Sequence, residues 1–330
     1  MPASDFPIVD LSRFEAAGAA GRARLGAEVD EICRATGFLA VSGHGVAQAT
    51  IDNAWNAARA FFDLPLEDKQ KARAPYAGYP YGYLGHGVEA LAKSKGADTP
   101  PDLKESFNGG PLSTPPGLTD PEALAFCYAE TIWPPAPAGF VDAWRAYYRA
   151  MEDLASRIMR VFAVALKLPD DYFSGLIDRP VSALRALNYP HPNEPPQPGQ
   201  LRAGAHTDYG SLTILLPEAK SGGLEIFTPE QTWRAVPPVP GAFIINIGDL
   251  MALWTNDRWV STLHRVVNPA PDAAGSTRRQ SFAFFHQPNW NAEISCIPSC
   301  LQLGARSKYA PVLSGPYLMG KFKSTVKPAA

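Results

Sequence analysis

Short runs rich in β-branched and aromatic residues follow one another closely in the C-terminal half of the chain, and this feature constrains the fold most. The runs are Ser211–Leu216, Gly223–Phe227, Thr232–Val236, Ala242–Ile247, Thr262–Val267 and Arg279–Phe285. Short strands at such spacing, separated by turn residues, are typical of an all-β sandwich or barrel. The sequence therefore predicts a β core for this part of the protein.

Helical patterns dominate the half that precedes this β core. An apolar stripe at helical spacing runs through residues 25–33, and the longest predicted helix, about residues 140–167, has an aromatic stripe that indicates a core-facing side. Strand-like segments at 6–11 and 38–41 flank the first helix. Residues 72–120 contain many Gly, Pro and Tyr residues and little periodicity, which indicates a long, partly ordered loop region of functional interest.

Composition narrows the class of protein. The chain has 330 residues with 30 basic and 32 acidic side chains, so its net charge of −2 gives no electrostatic reason to expect nucleic acid or an anionic membrane as a partner. No apolar run is long enough for a membrane span, and the N-terminus does not resemble a signal peptide. Four scattered cysteines indicate reduced thiols. We expect a cytoplasmic monomer or weak homo-oligomer with a small-molecule substrate.

A candidate metal site combines two separated segments. His206-Thr207-Asp208 places an imidazole and a carboxylate two residues apart, and in an extended strand such residues point to the same side. His264 lies in a later strand-like run, from which a neighbouring strand could supply a third ligand. Two imidazoles and one carboxylate on one face of an octahedron are the ligand set of non-haem iron(II) oxygenases.

A candidate anion site follows at the start of the last predicted strand. Arg279 and Ser281 alternate onto one face, where a guanidinium and a hydroxyl side by side can clamp a carboxylate. The apolar run Phe282–Phe285 indicates that this strand enters the core. Because a buried arginine needs an anionic partner, a dicarboxylate cosubstrate would fit here.

With these residues in place, the chain resembles the isopenicillin N synthase-like branch of the Fe(II)/2-oxoglutarate-dependent dioxygenases over nearly its whole length. The matching stretches are Phe6–Leu11, Gly37-Phe38, Gly43–Val46, Phe62–Pro65, Pro101–Phe107, His206–Gly210, Asn246–Asp249, Trp254–Asn256, His264–Val266 and Arg279–Ser281. The resemblance implies an α+β fold in which a double-stranded β-helix, or jelly roll, is flanked by N-terminal helices and one long helix. An N-terminal region, 1–120, would pack on a core of residues 121–330 as one composite domain.

The resemblance also implies roles for individual residues. The ligands of Fe(2+) would be His206, Asp208 and His264, and the residues holding the distal carboxylate of 2-oxoglutarate would be Arg279 and Ser281. Tyr189 would contact cosubstrate or substrate. Some plant members have an asparagine where this chain has Leu187, so the contacts of the near carboxylate are not assigned. The implied reaction consumes O2 and 2-oxoglutarate, hydroxylates a small molecule by default, and releases succinate and CO2.

Several alternatives remain open from the sequence. An oxidase of the isopenicillin N synthase type would need no 2-oxoglutarate, since the same clamp suits a substrate carboxylate. Ethylene formation from 2-oxoglutarate is a further variant, and desaturation or ring closure could replace hydroxylation. A non-enzymatic metal-binding β-helix protein is the alternative outside enzymes, and a zinc hydrolase is disfavoured because no extra base or nucleophile accompanies the ligands.

Four other residues are weaker candidates for a substrate pocket. His86 lies in an aromatic loop, and His286 follows the last core strand. Phe107 and Phe284 could line a pocket as well. For each of the four, an ordinary structural role is the preferred interpretation.

Overall fold

The computed structural model describes residues 6–325, apart from 77, 98, 193, 220–221, 271–272, 274 and 302–303. The strands are β1 Ile8–Asp10, β2 Phe38–Ser42, β3 Gly82–Leu84, β4 Glu105–Gly109, β5 Ala183–Tyr189, β6 Ala203–His206, β7 Leu212–Pro217, β8 Leu224–Phe227, β9 Trp233–Ala235, β10 Phe243–Ile247, β11 His264–Val266, β12 Arg279–His286, β13 Glu293–Ile294 and β14 Val312–Leu313. The helices are α1 Leu11–Ala16, α2 Ala19–Ala35, α3 Gln48–Phe62, α4 Leu66–Gln70, α5 Pro121–Phe126, α6 Phe140–Ala165, α7 Asp249–Trp254 and α8 Ser314–Thr325.

Two sheets form the centre of the protein. The major sheet has the strand order β1-β2-β10-β7-β12-β5-β4-β3, the minor sheet has the order β6-β11-β8-β9, and β13 pairs with β14. Among the strands that the structure describes, β1 and β2 pair in parallel, and the other paired strands of the two sheets are antiparallel. This arrangement confirms the predicted α+β jelly roll.

One layer of the core lies between the major sheet and the helices α2, α3 and α6. On β12, side chains of alternate residues point to opposite faces. Phe282 and Phe284 point to the helices, where Phe284 makes an edge contact with Tyr148 of α6 at a centroid distance of 5.3 Å. Ser281, Ala283 and Phe285 therefore face the space between the two sheets, where the candidate site lies.

Most sequence-based expectations for secondary structure are confirmed. Each of the six expected β runs contains a strand, and the long helix occupies Phe140–Ala165. The expectation of a long, partly ordered loop region at 72–120 did not include a core strand, but β4 is an interior strand of the major sheet, paired with β3 and β5. Its sequence, Glu-Ser-Phe-Asn-Gly, buries polar side chains and so lacks the apolar alternation of a recognisable strand.

Strands from both halves of the chain belong to one sheet. β2, from the N-terminal region, pairs antiparallel with β10, while β3 and β4 extend the opposite side of the same sheet. A boundary near residue 120 stays a prediction. Within the described residues, none of the helices combines the length and apolar character that crossing a bilayer requires.

Candidate active site

The two histidines and the aspartate singled out in the sequence come together at one end of the minor sheet. His206 on β6 and His264 on β11 are direct antiparallel partners, and their ring centroids are 4.3 Å apart. Oδ1 of Asp208 lies 3.8 Å from Nε2 of His206 and 3.7 Å from Nε2 of His264. One potential ligand atom from each side chain lies within 4.8 Å of the others, close enough to share one metal ion.

Hydrogen bonds to the backbone orient both imidazole rings. Nδ1 of His206 donates to the carbonyl of Gly204 at 2.7 Å, and Nδ1 of His264 donates to the carbonyl of Thr262 at 3.0 Å. A proton fixed on Nδ1 leaves the lone pair of Nε2 free, which is the form of histidine that binds a metal. Both rings are thus prepared as ligands through Nε2.

The direction of the Asp208 side chain is not set by strand alternation, in contrast to the prediction from the sequence. β6 ends at His206, so Asp208 lies beyond the strand. Its carboxylate is held instead from the major sheet, because Oδ2 accepts hydrogen bonds from Thr213 at 2.6 Å and Asn246 at 2.7 Å. These bonds occupy one oxygen and leave Oδ1 directed at the histidines.

The segment Asn246–Asp249 packs directly on the segment that carries Asp208. The backbone N–H of Asp249 donates to the carbonyl of Asp208 at 2.7 Å, and that of Gly248 donates to Ser211 at 3.2 Å. A Cβ at Gly248 would lie 2.1 Å from the carbonyl oxygen of Gly210, so only glycine permits this approach. The two matching sequence stretches therefore form one structural unit around the carboxylate.

Burial sets the protonation of the site. It lowers the pKa of His206 to about 3, an effect that the neighbouring His264 reinforces, so the imidazole is neutral at ordinary pH. Burial alone would raise the pKa of Asp208, but both histidines and the hydrogen bonds from Asn246 and Thr213 outweigh it and lower the pKa. A neutral imidazole beside an ionised carboxylate is the state that binds a divalent cation.

The predicted anion clamp lies on the same cavity. Arg279 is 1% exposed and donates to the hydroxyl of Ser281 at 3.2 Å, and its guanidinium lies 5.0 Å from the ring centre of Tyr189. Tyr189 and Arg279 are direct partners across β5 and β12. Nε of Arg279 has no hydrogen-bond partner in the described part of the chain. A buried guanidinium in this state calls for an anionic ligand.

Arg202 is a second buried guanidinium near Arg279, and it is not among the residues predicted from the sequence. It is 5% exposed and donates to the carbonyls of Pro190 and Thr277. Burial lowers the pKa of Arg202, and the positive charge of Arg279 lowers it further. Neither arginine forms an ion pair within the described residues, so the two arginines carry uncompensated positive charge suited to a dianion. No motif in the sequence marked Arg202.

A cavity of about 220 Å³ joins the metal site to the arginine clamp. It is lined by the predicted residues His206, Asp208, His264, Tyr189, Arg279 and Ser281, together with mainly apolar side chains such as Leu187, Ala283 and Phe285. The volume suits small molecules only. Leu187 contributes an apolar side chain to this cavity.

The weaker pocket candidates have other positions. Phe107 and Phe284 are buried in the core layer against the helices, as their preferred interpretation held. His286 is on the same face of β12 as Phe284, where its Nδ1 lies 2.7 Å from the hydroxyl of Ser211, and burial lowers its pKa to about 4. His86 does not line the cavity.

A jelly roll with two imidazoles and one carboxylate converging on an open cavity defines the class of mononuclear non-haem metal oxygenases. Comparison with protein families agrees. The 2OG-Fe(II) oxygenase superfamily matches residues 181–288, and the N-terminal region of the non-haem dioxygenase in morphine synthesis matches residues 6–136.

Individual relatives give the same result. The homoarginine-6-hydroxylase of Oryza sativa subsp. japonica is 34% identical over 89% of this chain and 87% of its own length. A full-length Neurospora crassa protein, solved in complex with alpha-KG and thymine, is 28% identical with a TM-score of 0.83, covering 97% of both chains. A 2OG-Fe(II) oxygenase family protein from Caulobacter crescentus is 31% identical with a TM-score of 0.82, covering 97% of this chain and 98% of its own.

The chain therefore belongs to the 2OG-Fe(II) oxygenase superfamily, in its isopenicillin N synthase-like branch. It is an enzyme that uses Fe(II), 2-oxoglutarate and O2 to oxidise a small molecule. These findings exclude the non-enzymatic metal-binding protein as its class.

Proposed function

We propose that His206, Asp208 and His264 hold the iron(II) ion of this enzyme. We further propose that Arg279 and Ser281 bind the distal carboxylate of 2-oxoglutarate, with Tyr189 beside them. One observation carries both assignments. The cavity that is lined by the three potential metal ligands, whose atoms lie within 4.8 Å of one another, is also lined by the buried Arg279, which forms no ion pair within the described residues. The reaction would hydroxylate a small-molecule substrate and release succinate and CO2.

The protein's own groups prepare this chemistry. The bound iron supplies the oxidation by dioxygen, coupled to loss of CO2 from the cosubstrate. The backbone carbonyls of Gly204 and Thr262 hold the imidazoles in the tautomer that ligates through Nε2. Arg279 would orient the dicarboxylate, and the aromatic rings of Tyr189 and Phe285 form part of the cavity wall.

Anaerobic titration with iron(II) and 2-oxoglutarate tests these assignments, because the ternary complex of such enzymes has a weak visible charge-transfer band. We expect His206→Ala and Asp208→Ala to abolish the band. Arg279→Ala should chiefly weaken the affinity for 2-oxoglutarate. Arg265→Ala is the matched control, since Arg265 follows a metal ligand but its guanidinium pairs with Glu225 at 2.8 Å. A band of full intensity in either ligand variant would refute the ligand assignment.

The remaining variants of the reaction are distinguished by their products. Oxygen uptake that does not require 2-oxoglutarate would indicate an oxidase of the isopenicillin N synthase type. Ethylene in the headspace would indicate the ethylene-forming variant. Succinate release that depends on 2-oxoglutarate, without ethylene, supports hydroxylation or a related oxidation of a separate substrate.

Relatives suggest which small molecules to test. The rice relative is a homoarginine hydroxylase and the Neurospora protein binds thymine, so a cationic amino acid and a neutral ring are both reasonable starting compounds. We also propose that the enzyme works in the cytoplasm as a monomer or weak homo-oligomer. The four cysteines are free, with Cys33 and Cys127 buried, which supports a reducing compartment. Sedimentation velocity would measure the oligomeric state.

A further inference from the structure

Several residues that line the cavity belong to neither the proposed iron site nor the proposed 2-oxoglutarate site, and some of those on β5 and β12 lie toward the opposite ends of these strands from Tyr189 and Arg279. Four of these lining residues, Asn108, Arg185, Phe285 and Gln287, are named here the Asn108 wall. Asn108 on β4 and Arg185 on β5 are direct antiparallel partners and so lie on the same face of the sheet. Phe285 lies on the same face of the adjacent strand β12.

Two amide groups in this wall have unused hydrogen-bonding atoms. The side chain of Asn108 is 4% exposed, and within the described chain neither its oxygen nor its nitrogen has a hydrogen-bond partner. The Oε1 atom of the buried Gln287 is unpaired in the same sense. Since buried amides nearly always form hydrogen bonds, these atoms indicate a ligand that offers a donor and an acceptor side by side.

The charges of this wall are already paired with one another. Nη1 of Arg185 contacts both carboxylate oxygens of Glu89, at 3.0 and 3.2 Å. Lys104 lies 3.4 Å from Glu89 and 2.5 Å from Asp102, so two cations face two anions. Burial alone would raise the pKa of Glu89, but Arg185 and Lys104 lower it to about 2, and the carboxylate is ionised. None of these four charged side chains is therefore unpaired and able to neutralise an ionic substrate.

We propose that the Asn108 wall binds an uncharged substrate with a –CO–NH– edge, such as a lactam ring or a primary amide. The carboxamide of Asn108 offers the complementary donor and acceptor, while Phe285 gives a flat apolar surface for a ring. A cationic or anionic substrate would leave its charge unpaired against the closed Arg185–Glu89 pair. This inference rests on the proposed function and specifies the substrate class of the same site.

The test measures binding under anaerobic conditions by titration calorimetry, with the protein loaded with iron(II) and 2-oxoglutarate. The probes are two neutral lactams, thymine and uracil, the cation homoarginine and the anion indole-3-acetate. We expect at least one lactam to bind more tightly than either ion and to stimulate succinate release in air. Failure of both lactams to bind, or tighter binding of an ion, would overturn the proposal.

Variants locate the interaction. Asn108→Leu removes both amide atoms, and Asn108→Asp keeps the shape while exchanging the donor for a charge, so each should weaken lactam binding at least tenfold. Glu89→Gln leaves Arg185 without its anion and should increase affinity for indole-3-acetate. Unchanged lactam affinity in Asn108→Leu would mean that the amide holds only solvent, which contradicts the proposal.

A separate readout distinguishes failure of this inference from failure of the proposed function. Affinity for 2-oxoglutarate and its slow turnover without substrate depend on the metal ligands and Arg279, and both are measured in the wild-type protein beside the lactam titration. A wild-type protein that turns over 2-oxoglutarate but binds no lactam would refute the inference alone. A protein without any 2-oxoglutarate turnover would refute the proposed function.

Discussion

Asn246 donates a hydrogen bond from Nδ2 to Oδ2 of Asp208 at 2.7 Å, and this contact links the major sheet to the metal site on the minor sheet. Thr213, the direct partner of Asn246 across β7 and β10, donates to the same oxygen. One register position of the major sheet therefore sets the direction of the carboxylate. Asn246 is the one polar residue of β10, whose other residues are the apolar Phe243, Ile244, Ile245 and Ile247.

From this contact we predict that Asn246→Leu and Thr213→Val weaken iron(II) affinity by about 10–100-fold, the usual effect of removing a partner that orients a metal ligand. Competition with a coloured chelator under anaerobic conditions would measure the affinity. Thr228→Val is the control, since Thr228 is a buried threonine that pairs with Thr232 instead. Iron affinity equal to that of the wild type in both variants would show that the Asp208 carboxylate does not need these two hydrogen bonds for its orientation.

Arg202 provides a prediction about the cosubstrate. Its guanidinium adds positive charge to that of Arg279, and neither arginine forms an ion pair within the described residues. Arg202→Leu should therefore weaken 2-oxoglutarate binding by about tenfold, or about 1.4 kcal/mol. Arg202→Lys keeps the charge but loses the Nη2 group that donates to the carbonyls of Pro190 and Thr277. If the lysine variant recovers most of the affinity, the charge is responsible. If it binds as weakly as the leucine variant, Arg202 acts through the backbone contacts.

The residues of this site that have a distinctive spacing along the chain could be predicted from the sequence. The metal ligands, Arg279 and Ser281 were recognisable because they occur in short patterns with a chemical purpose, and the structure brings them to one cavity. Arg202 and Asn108 were not recognisable, because each becomes informative only through its burial and its missing partners. Burial and missing partners depend on which strands become neighbours in the fold. The strand β4, which carries Asn108, could not be predicted because its sequence is mostly polar.

Glu152, on α6, makes stability depend on pH. Burial raises the pKa of Glu152 to about 7 in the folded protein, partly opposed by Arg149, against 4.5 as its ordinary value. Between pH 4.5 and 7 the folded state binds more protons than the unfolded state. The free energy of unfolding therefore falls as the pH rises through this range, and the loss reaches its full size above pH 7. The carboxylate remains partly hydrated, which limits this cost to about 1 kcal/mol.

Glu152→Gln should therefore stabilise the protein at pH 8 by about 1 kcal/mol and have much less effect at pH 5. Urea unfolding at the two pH values would measure the difference. Asp153→Asn is the neighbouring control, because the side chain of Asp153 is 72% exposed and its ion pair with Arg157 spans 3.6 Å. An equal stabilisation at pH 5 and pH 8 would rule out the ionisation of Glu152 as its cause.

Gly248 tests how tightly the segment Asn246–Asp249 is packed against the segment that carries Asp208. A methyl group at this position would lie 2.1 Å from the oxygen and 2.9 Å from the nitrogen of Gly210, so backbone rather than a flexible side chain must move. Gly248→Ala should cost about 1–3 kcal/mol of stability, the usual cost of overpacking. It should also weaken iron binding, because the N–H of the next residue, Asp249, holds the carbonyl of Asp208.

The contrasting variant is Gly320→Ala. Gly320 is exposed in α8, and an added Cβ would have no atom within 4 Å. Alanine there should stabilise the helix by about 0.5–1 kcal/mol and leave iron affinity unchanged. Thermal unfolding together with the iron competition assay would compare the two. If Gly248→Ala lost stability but bound iron like the wild type, the contact between the two segments would support the fold without positioning the carboxylate.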